Sequence, residues 1–495
     1  MSEDLNFVLQ ARRDKLARLE ERGIAPYAYR YERTHSAAEA VTVLGDGDEG
    51  ERVRVAGRLV AWRGHGKTAF AHLSDPTGRI QLYFRRDDLG PDAFDTVQLL
   101  DIGDVVGVEG PVFRTRTGEA TVRAESFELL AKSLRPLPFG KEEVQDGVVV
   151  RHSGFADPEQ RYRQRYADLA VHPEVRAVFI ARARMISAIR AFLDGRGYLE
   201  VETPVLQPLY GGALARPFTT HHNALDMPLY LRVADELYLK RLIVGGFERV
   251  YEIGHDFRNE GVDRTHNPEF TMLEFYEALS DYGDMMTTVE ALIARAADAV
   301  WSVPSVGERA PELAPPFPRI EWVGSLNAAV GTDAMRLSDA ELRNTASRVG
   351  VEHIESLSRP KLLDELFQRL VESALDAPTF VVDYPAELSP LAKPKRGNPA
   401  LAERFELFAG GREIANAFSE LNDPLDQRRR LEAQARLRAA GDEEASVVDE
   451  DYLRAMEYGM PPMGGVGIGV DRLLMFLTGI PHIRDVILFP TMRPE

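Results

Sequence analysis

Residues 257–270, FRNEGVDRTHNPEF, pack arginines, carboxylates and a histidine between two phenylalanines. Phe257 and Arg258 read as the end of a strand, Gly261 and Asn267-Pro268 as turn residues, and Phe270 as the point where a strand resumes. Arg258 and Glu260 are two apart and share a face if the strand continues. Arginine suits bidentate contact with phosphate or carboxylate. The hairpin is therefore either an anion-gripping loop or an exposed salt-bridged turn of little energetic value, and residue types alone leave both readings open.

Other clusters carry similar double readings. Glu413 and Glu420 lie seven apart in GGREIANAFSELND, a spacing that puts both on one face of a helix and also fits the apolar residues at 414, 417, 418 and 421. Two carboxylates plus nucleotide phosphates make an ordinary magnesium arrangement; solvated surface glutamates are the alternative. Glu236 in ADELYLKR and Glu274 in MLEFYEA stand among apolar residues. A carboxylate in such surroundings must be paired, either with an internal Arg or Lys or with a substrate cation. The stretch GGVGIGVDRLLMFL (464–477) sets glycines before an apolar helix, which suits an anion at the helix N-terminus or close strand–helix packing. Val470 breaks a dinucleotide fingerprint there, and Ala61 breaks a phosphate-loop reading of GHGKT (64–68).

The elements that must hold these residues fall into two groups. From 52 to 130, five β-rich runs (VRVAGRLVAW, TAFAHLSD, GRIQLYFRR, DVVGVEGPVF, EATVRAESFELL) alternate with turns and predict a small closed antiparallel barrel of OB type. A helix is expected before it, over 4–22. Residues 174–197 have helical spacing, end at glycine and feed the strand-like YLEVETPVL. Strand-like runs then recur with helices such as ELYLKRLIVG between them. The expected fold class is α+β: helix and OB barrel over 1–138, a linker over 139–173, and over 174–495 a domain with a mixed, mainly antiparallel sheet flanked by helices.

Composition narrows the function classes. The 495 residues suffice for several domains, and 44% hydrophobic content is ordinary for a globular protein. No cysteine is present, which excludes disulfides, thiolate metal sites and thiol catalysis. A net charge of -18 argues against indiscriminate nucleic-acid binding, yet residues 50–135 hold 13 basic and 12 acidic side chains and leave room for a local basic face. With a charged N-terminus and no apolar run of membrane-spanning length, a cytoplasmic location is expected.

Taken together, the stretches resemble the class II lysyl-tRNA synthetases over essentially the whole chain. EVRAVF through GYLEVETPVL is similar to motif 1, FRNEGVDRTHNPEFTMLEFYEA to motif 2, and GMPPMGGVGIGVDRLLMFLTGIPHIRDVILFP to motif 3. GGALARPFTTHHNALD, ELYLKRLIVGGFERVYEIGHDFRNEG and GGREIANAFSELNDPLDQ point to lysine within the class. The resemblance implies activation of L-lysine with ATP to lysyl-adenylate, then transfer to the 3′ end of tRNA(Lys). It implies that Arg258 bridges lysine carboxylate and α-phosphate, that Glu260, His266 and Glu413 contact ATP, that Phe270 stacks under adenine, and that Arg472 holds the γ-phosphate. For lysine it implies Gly212 and Glu236 at the α-ammonium, Asn422 near the carboxylate, and Glu274 and Tyr276 at the ε-ammonium. Glu413 and Glu420 correspond to ligands of Mg2+. The family places that pair on a strand, where a separation of seven sends side chains to opposite faces, so a bulge or bend is expected between them. Phe70 and Gln81 correspond to anticodon-reading positions, with Arg63 and Lys67 as phosphate contacts, and the motif 1 segment implies a homodimer. A paralogue that lysylates a protein would lack the barrel, and a non-catalytic binding module would not be expected to keep Arg258, Glu413, Glu420 and Arg472.

Overall fold

The computed structural model describes residues 3–45, 47–145, 148–152, 155–306, 311, 313–439 and 447–494. The chain divides into two compact units, Met1–Val171 and His172–Glu495. No helix among the described residues is long and apolar enough to cross a membrane.

In the first unit the helix Glu3–Glu21 and the short helix Ala37–Leu44, closed by a Ser36/Glu39 capping box, precede the strands. These are β1 (Glu49–His65), β2 (Thr68–Asp75), β3 (Gly78–Arg85), β4 (Val105–Arg114), β5 (Ala120–Arg123) and β6 (Ser126–Ala131). The order β1-β2-β3-β5-β4-β6, with β1 also paired to β4, closes a barrel. Alternate residues such as Val53, Val55, Ala69, Ala71, Leu73, Ile80 and Leu82 fill its interior. Two details differ from expectation. The fifth run is two strands, and the β3–β5 pair is parallel, because helical segments between β3 and β4 carry the chain across the barrel before β5 returns beside β3. Within the segment expected as a linker, β7 (Lys141–Gln145) and β8 (Val148–His152) pair antiparallel, and residues Pro158–Arg163 and Arg165–Val171 are helical.

The second unit opens with the helix Pro173–Gly195 and the short strand β9 (Leu199–Glu200). Strands β10 (Leu206–Gln207), β11 (Thr219–His222) and β12 (Met227–Leu231) form a small separate sheet. The main sheet adds β13 (Arg249–Phe257), β14 (Glu269–Ala278), β15 (Arg319–Glu321), β16 (Thr379–Pro385), β17 (Pro394–Lys395), β18 (Asn398–Phe408), β19 (Glu413–Ser419) and β20 (Met463–Gly469). Its order is β15-β16-β18-β19-β20-β14-β13-β9 with β17 on β18, parallel only at β15–β16 and β13–β9. The α+β class with a mixed, mainly antiparallel sheet is the observed one.

Register across β14, β20 and β19 decides what faces where. Leu273, Ile468 and Ala415 form one row and Phe275, Val466 and Ala417 another; all six join the core under the helices Pro173–Gly195 and Tyr282–Trp301. Burying a large apolar side chain in these rows contributes about 1.5–3 kcal/mol. The intervening rows, Glu274–Gly467–Asn416 and Tyr276–Gly465–Phe418, face the other way. Residues 413–419 are thus a strand rather than the helix their apolar spacing allows: pairing with β18 and β20 on both edges overrides local periodicity.

Candidate active site and nucleic-acid face

The rows Glu274–Gly467–Asn416 and Tyr276–Gly465–Phe418 of the main sheet form the floor of a cavity of about 1000 Å³ in the second unit. Arg258, Glu260, His266, Phe270, Gly212, Glu236, Glu274, Tyr276, Glu413, Glu420 and Arg472 all line it. Asn422 does not: its Oδ1 accepts from Lys393 Nζ (2.7 Å) and its Nδ2 donates to Met460 O (3.1 Å).

The hairpin between β13 and β14 supplies the cationic lip. Arg258 follows the last residue of β13, its N–H donates to Pro268 O at 2.9 Å, and its guanidinium lies 5.1 Å from the Phe270 ring centroid. Arg258 Nε is buried and has no protein acceptor, which leaves it for an anion. Asp263, which a tip position would leave solvated, organises the loop. Its Oδ1 accepts from the N–H groups of Thr265 (2.6 Å) and His266 (2.8 Å), and its Oδ2 lies 2.8 Å from His266 Nδ1. Against a partial burial that opposes it, these bonds hold the Asp263 carboxyl down at about 2.

His266 Nε2 lies 3.0 Å from Arg472 Nη2. Arginine can only donate, so this nitrogen accepts and the ring proton sits on Nδ1, facing Asp263. Arg472 stands in the first turn of the helix Val470–Thr478 and also donates to Glu413, at 3.2 Å to its carbonyl and 3.3 Å to Oε2. The neighbouring Asp471 accepts from Arg182 Nη1 (2.5 Å) and from Thr271 N–H (2.8 Å), fixing that turn to β14 and to the helix Pro173–Gly195.

Between Leu407↔Ala415 and Phe408↔Glu413, Ile414 is an extra residue in β19. Ile414, Ala415 and Ala417 all join the core, whereas Glu413, Asn416, Phe418 and Glu420 line the cavity. The expected bulge exists, and it is what turns both glutamates to one side. Gly465 of β20 serves close approach: a Cβ there would collide with Glu420 Oε1 and the Tyr276 ring. At Gly212, φ is +89°, and a Cβ would press on those of Ala234 and Glu236.

Deeper in, charges are buried in pairs. Lys240 is fully buried and its Nζ lies 2.5 Å from both Glu236 Oε1 and Glu420 Oε2. Burial pushes Glu420 up to about 8 against the pull of this ammonium. The Tyr276 hydroxyl donates to Glu274 Oε2 at 2.8 Å. Burial first, then the charges of Asp235 and Glu236, push Glu274 well above the usual carboxylate range. Neither Lys240 nor Asp235 was singled out from the sequence, although Lys240 sits four residues after Glu236, one helical turn away.

In the first unit, Phe70 and Tyr83 are opposite each other on β2 and β3, as are His72 and Gln81. The Phe70 and Tyr83 centroids are 4.7 Å apart, and Phe113 lies 6.1 Å beyond Tyr83. Gln81 Nε2 donates to Glu119 Oε2 (2.6 Å), Gln81 Oε1 accepts from Thr121 Oγ1 (2.8 Å), and His72 Nε2 lies 2.8 Å from Glu119 Oε1. Arg63 pairs with Phe70 in register and is exposed, as is Lys67. Aromatic rings beside polar side chains on a sheet face are what single-stranded bases stack on and pair with. Tyr83, His72 and Glu119 were missed. The tight turn, in which Asp75 Oδ1 accepts from Thr77 N–H (2.8 Å) and Gly78 N–H (3.1 Å), fixes the register that would have found the first two.

Residues 157–493 match the family described as tRNA synthetases class II (D, K and N), and residues 53–130 match an OB-fold nucleic acid binding domain. The chain is 53% identical to the lysine–tRNA ligase of Pelotomaculum thermopropionicum over 100% of its own length and 96% of the relative's. It is 54% identical to that of Moorella thermoacetica (99% and 98%) and 49% identical to that of Bacillus subtilis (99% and 98%). With both units and the full length matched in this way, the chain belongs to the class II tRNA synthetases of the D, K and N group and, within them, to the lysine–tRNA ligase family.

Proposed function

We propose that the chain activates L-lysine with ATP and transfers it to the 3′ end of tRNA(Lys). The observation that carries this reading is the joining, in one cavity, of two arginines suited to phosphate with a buried carboxylate suited to an ammonium: Arg258 and Arg472 at the rim, Glu274 with Tyr276 at the floor. Lysine enters with its ε-ammonium on Glu274 and Tyr276 and its α-ammonium on Glu236 beside Gly212. Its carboxylate oxygen attacks the α-phosphorus of ATP, the bond to the β-phosphate oxygen breaks, and pyrophosphate leaves. The tRNA 3′-hydroxyl then attacks the lysyl carbonyl and AMP leaves.

Charge develops on phosphate and carbonyl oxygens in both steps, so placed cations do more than a strong base. Arg258 spans lysine carboxylate and α-phosphate, Phe270 carries the adenine, Glu260 and His266 line the nucleotide, and Arg472 meets the outer phosphates. His266 keeps Arg472 aimed at the cavity through Nε2, with its Nδ1 turned to Asp263. Mg2+ fits the oxygen donors offered by Glu413 and by Glu420 Oε1, which receives no hydrogen bond. When bound, such an ion neutralises phosphate charge. A buried carboxylate at the far end of the slot rejects apolar competitors, which would leave it unpaired.

In the barrel, Phe70 and Gln81 read the anticodon, flanked by Arg63 and Lys67 at the phosphates. Domain limits near 138 and 173, a cytoplasmic location and a homodimer complete the proposal. Exposed apolar side chains at Leu199, Val205, Leu206 and Leu209, just after the helix Pro173–Gly195, support a partner there, and the mass in solution tests it. Lysine-dependent ATP–pyrophosphate exchange tests the activity, and its absence from the pure protein sinks the reading.

A further inference from the structure

Asp235 holds the N-cap position of the helix Glu236–Val244, but its side chain makes no capping hydrogen bond, although aspartate there ordinarily does. The residue is fully buried, and neither Oδ receives a hydrogen bond from a protein donor. Its carboxylate is turned instead toward Asp256 of β13 and Glu274 of β14, with one oxygen from each of the three within 4.8 Å of the others.

Cations lie near the group, and the charge of Arg232 acts on Asp235, but none donates a hydrogen bond to the Asp235 carboxylate. Arg232 lies 2.6 Å from Glu252 and 3.1 Å from Asp256. Arg258 also acts on Asp256. Lys240 is held between Glu236 and Glu420. The second oxygen of Glu274 accepts from the Tyr276 hydroxyl, and Glu236 adds a further negative charge nearby. Asp235 is left near Glu274 with no cation hydrogen-bonded to its carboxylate. Two carboxylates in contact in a dry site do not both ionise. Burial, then the charge of Asp256, pushes Asp235 up to about 8, and burial with the charges of Asp235 and Glu236 pushes Glu274 well above the usual carboxylate range.

Glu274 reaches the cavity and Asp235 does not. Resting on the lysine-activating reading above, we propose that Asp235 is a positioning residue that sets the charge specificity of the side-chain subsite: it shares one proton with Glu274 until a substrate ammonium takes that proton's place. Lysine then binds with its ε-ammonium on a fully ionised pair, and the displaced proton leaves to solvent. A neutral side chain of the same length leaves the proton where it is and gains nothing from the second carboxylate.

Titration calorimetry of lysine into the full-length protein near pH 7, in two buffers of different protonation enthalpy, counts the protons. The wild type is expected to release up to about one proton per lysine, and its affinity to rise with pH by up to about tenfold per unit below the pKa of the pair. In Asp235→Asn the amide donates to Glu274, so the release is lost and the pH dependence flattens, with the deficit against wild type largest at high pH. A purely structural role for Asp235 would alter affinity without altering the proton count. Lysine binding by the wild type without proton release, or unchanged release in Asp235→Asn, overturns the proposal. Competition between lysine and a divalent cation without proton release also overturns it, by placing a metal ion where the proton was assigned. Absence of any lysine binding heat sinks the parent reading instead, so the two failures are distinguishable. The wild-type count decides even if the variant does not fold.

Discussion

The barrel face and the catalytic cavity treat polar groups in opposite ways. On the barrel, Phe70 and Arg63 stand exposed, and Gln81 and His72 converge on the single carboxylate of Glu119. Strand alternation and one tight turn suffice to set out that face, and Glu119 is the carboxylate its polar side chains share. At and beneath the cavity floor, Lys240, Glu236, Glu420, Asp235 and Glu274 are buried and hold one another's charge state. A group there is defined by its neighbours, and removing one strands the next. Coupling on the surface face runs through hydrogen bonds and ring contacts, whereas in the cavity it runs through buried charge and is stronger.

Four substitutions or titrations test that contrast. Lys240→Met leaves Glu236 and Glu420 buried without their shared ammonium; a loss of about 3–5 kcal/mol in unfolding free energy is expected, and an unchanged melting temperature would erase the distinction. Arg258→Ala should cut lysine-dependent ATP–pyrophosphate exchange by about a hundred- to a thousandfold while the fold survives, since it removes one preorganised donor at the reacting oxygens. Phe70→Ala removes a stacking surface worth about 1–3 kcal/mol; the KM for tRNA should rise about tenfold or more with exchange untouched, and any loss of exchange would count against independent units. The smallest effect belongs to Asp263. Its pKa is depressed, so its contribution is present above the unfolded carboxylate value near ~4 and vanishes as the pH falls through about 2. The side chain is 59% exposed, so solvent screening keeps the gain small. The ring signals of His266 followed by NMR through acid titration should report the loss of the Asp263 contact before global unfolding.

How much of this was legible depended on range. The barrel could be read because its β-rich runs are separated by local turn chemistry, and the α+β class followed from the same kind of signal. The parallel β3–β5 pair could not be read, since no local residue encodes which strand returns beside which. The helical reading of residues 413–421 failed because a strand with one extra residue mimics helical spacing in its apolar positions. Glu236 and Glu274 were recognisable as carboxylates in need of partners. Which partners they have depends on contacts between elements far apart in sequence, as Lys240 to Glu420 and Asp256 to Asp235 illustrate. The chemical roles of the motif residues came from resemblance, and the rows of β14, β20 and β19 supply the physical reason those residues converge.

The extra residue at Ile414 carries a consequence for how this strand can change. Most of β19 tolerates or resists change one side chain at a time, but here the phase of the whole segment is at stake. Deleting a single codon at 414 would restore regular alternation, rotate Glu413 from the cavity toward the core and leave every remaining residue type unaltered. A library of one-codon deletions should therefore show a sharp functional minimum at this bulge, in a place where substitutions of Ile414 by Val or Leu are nearly silent.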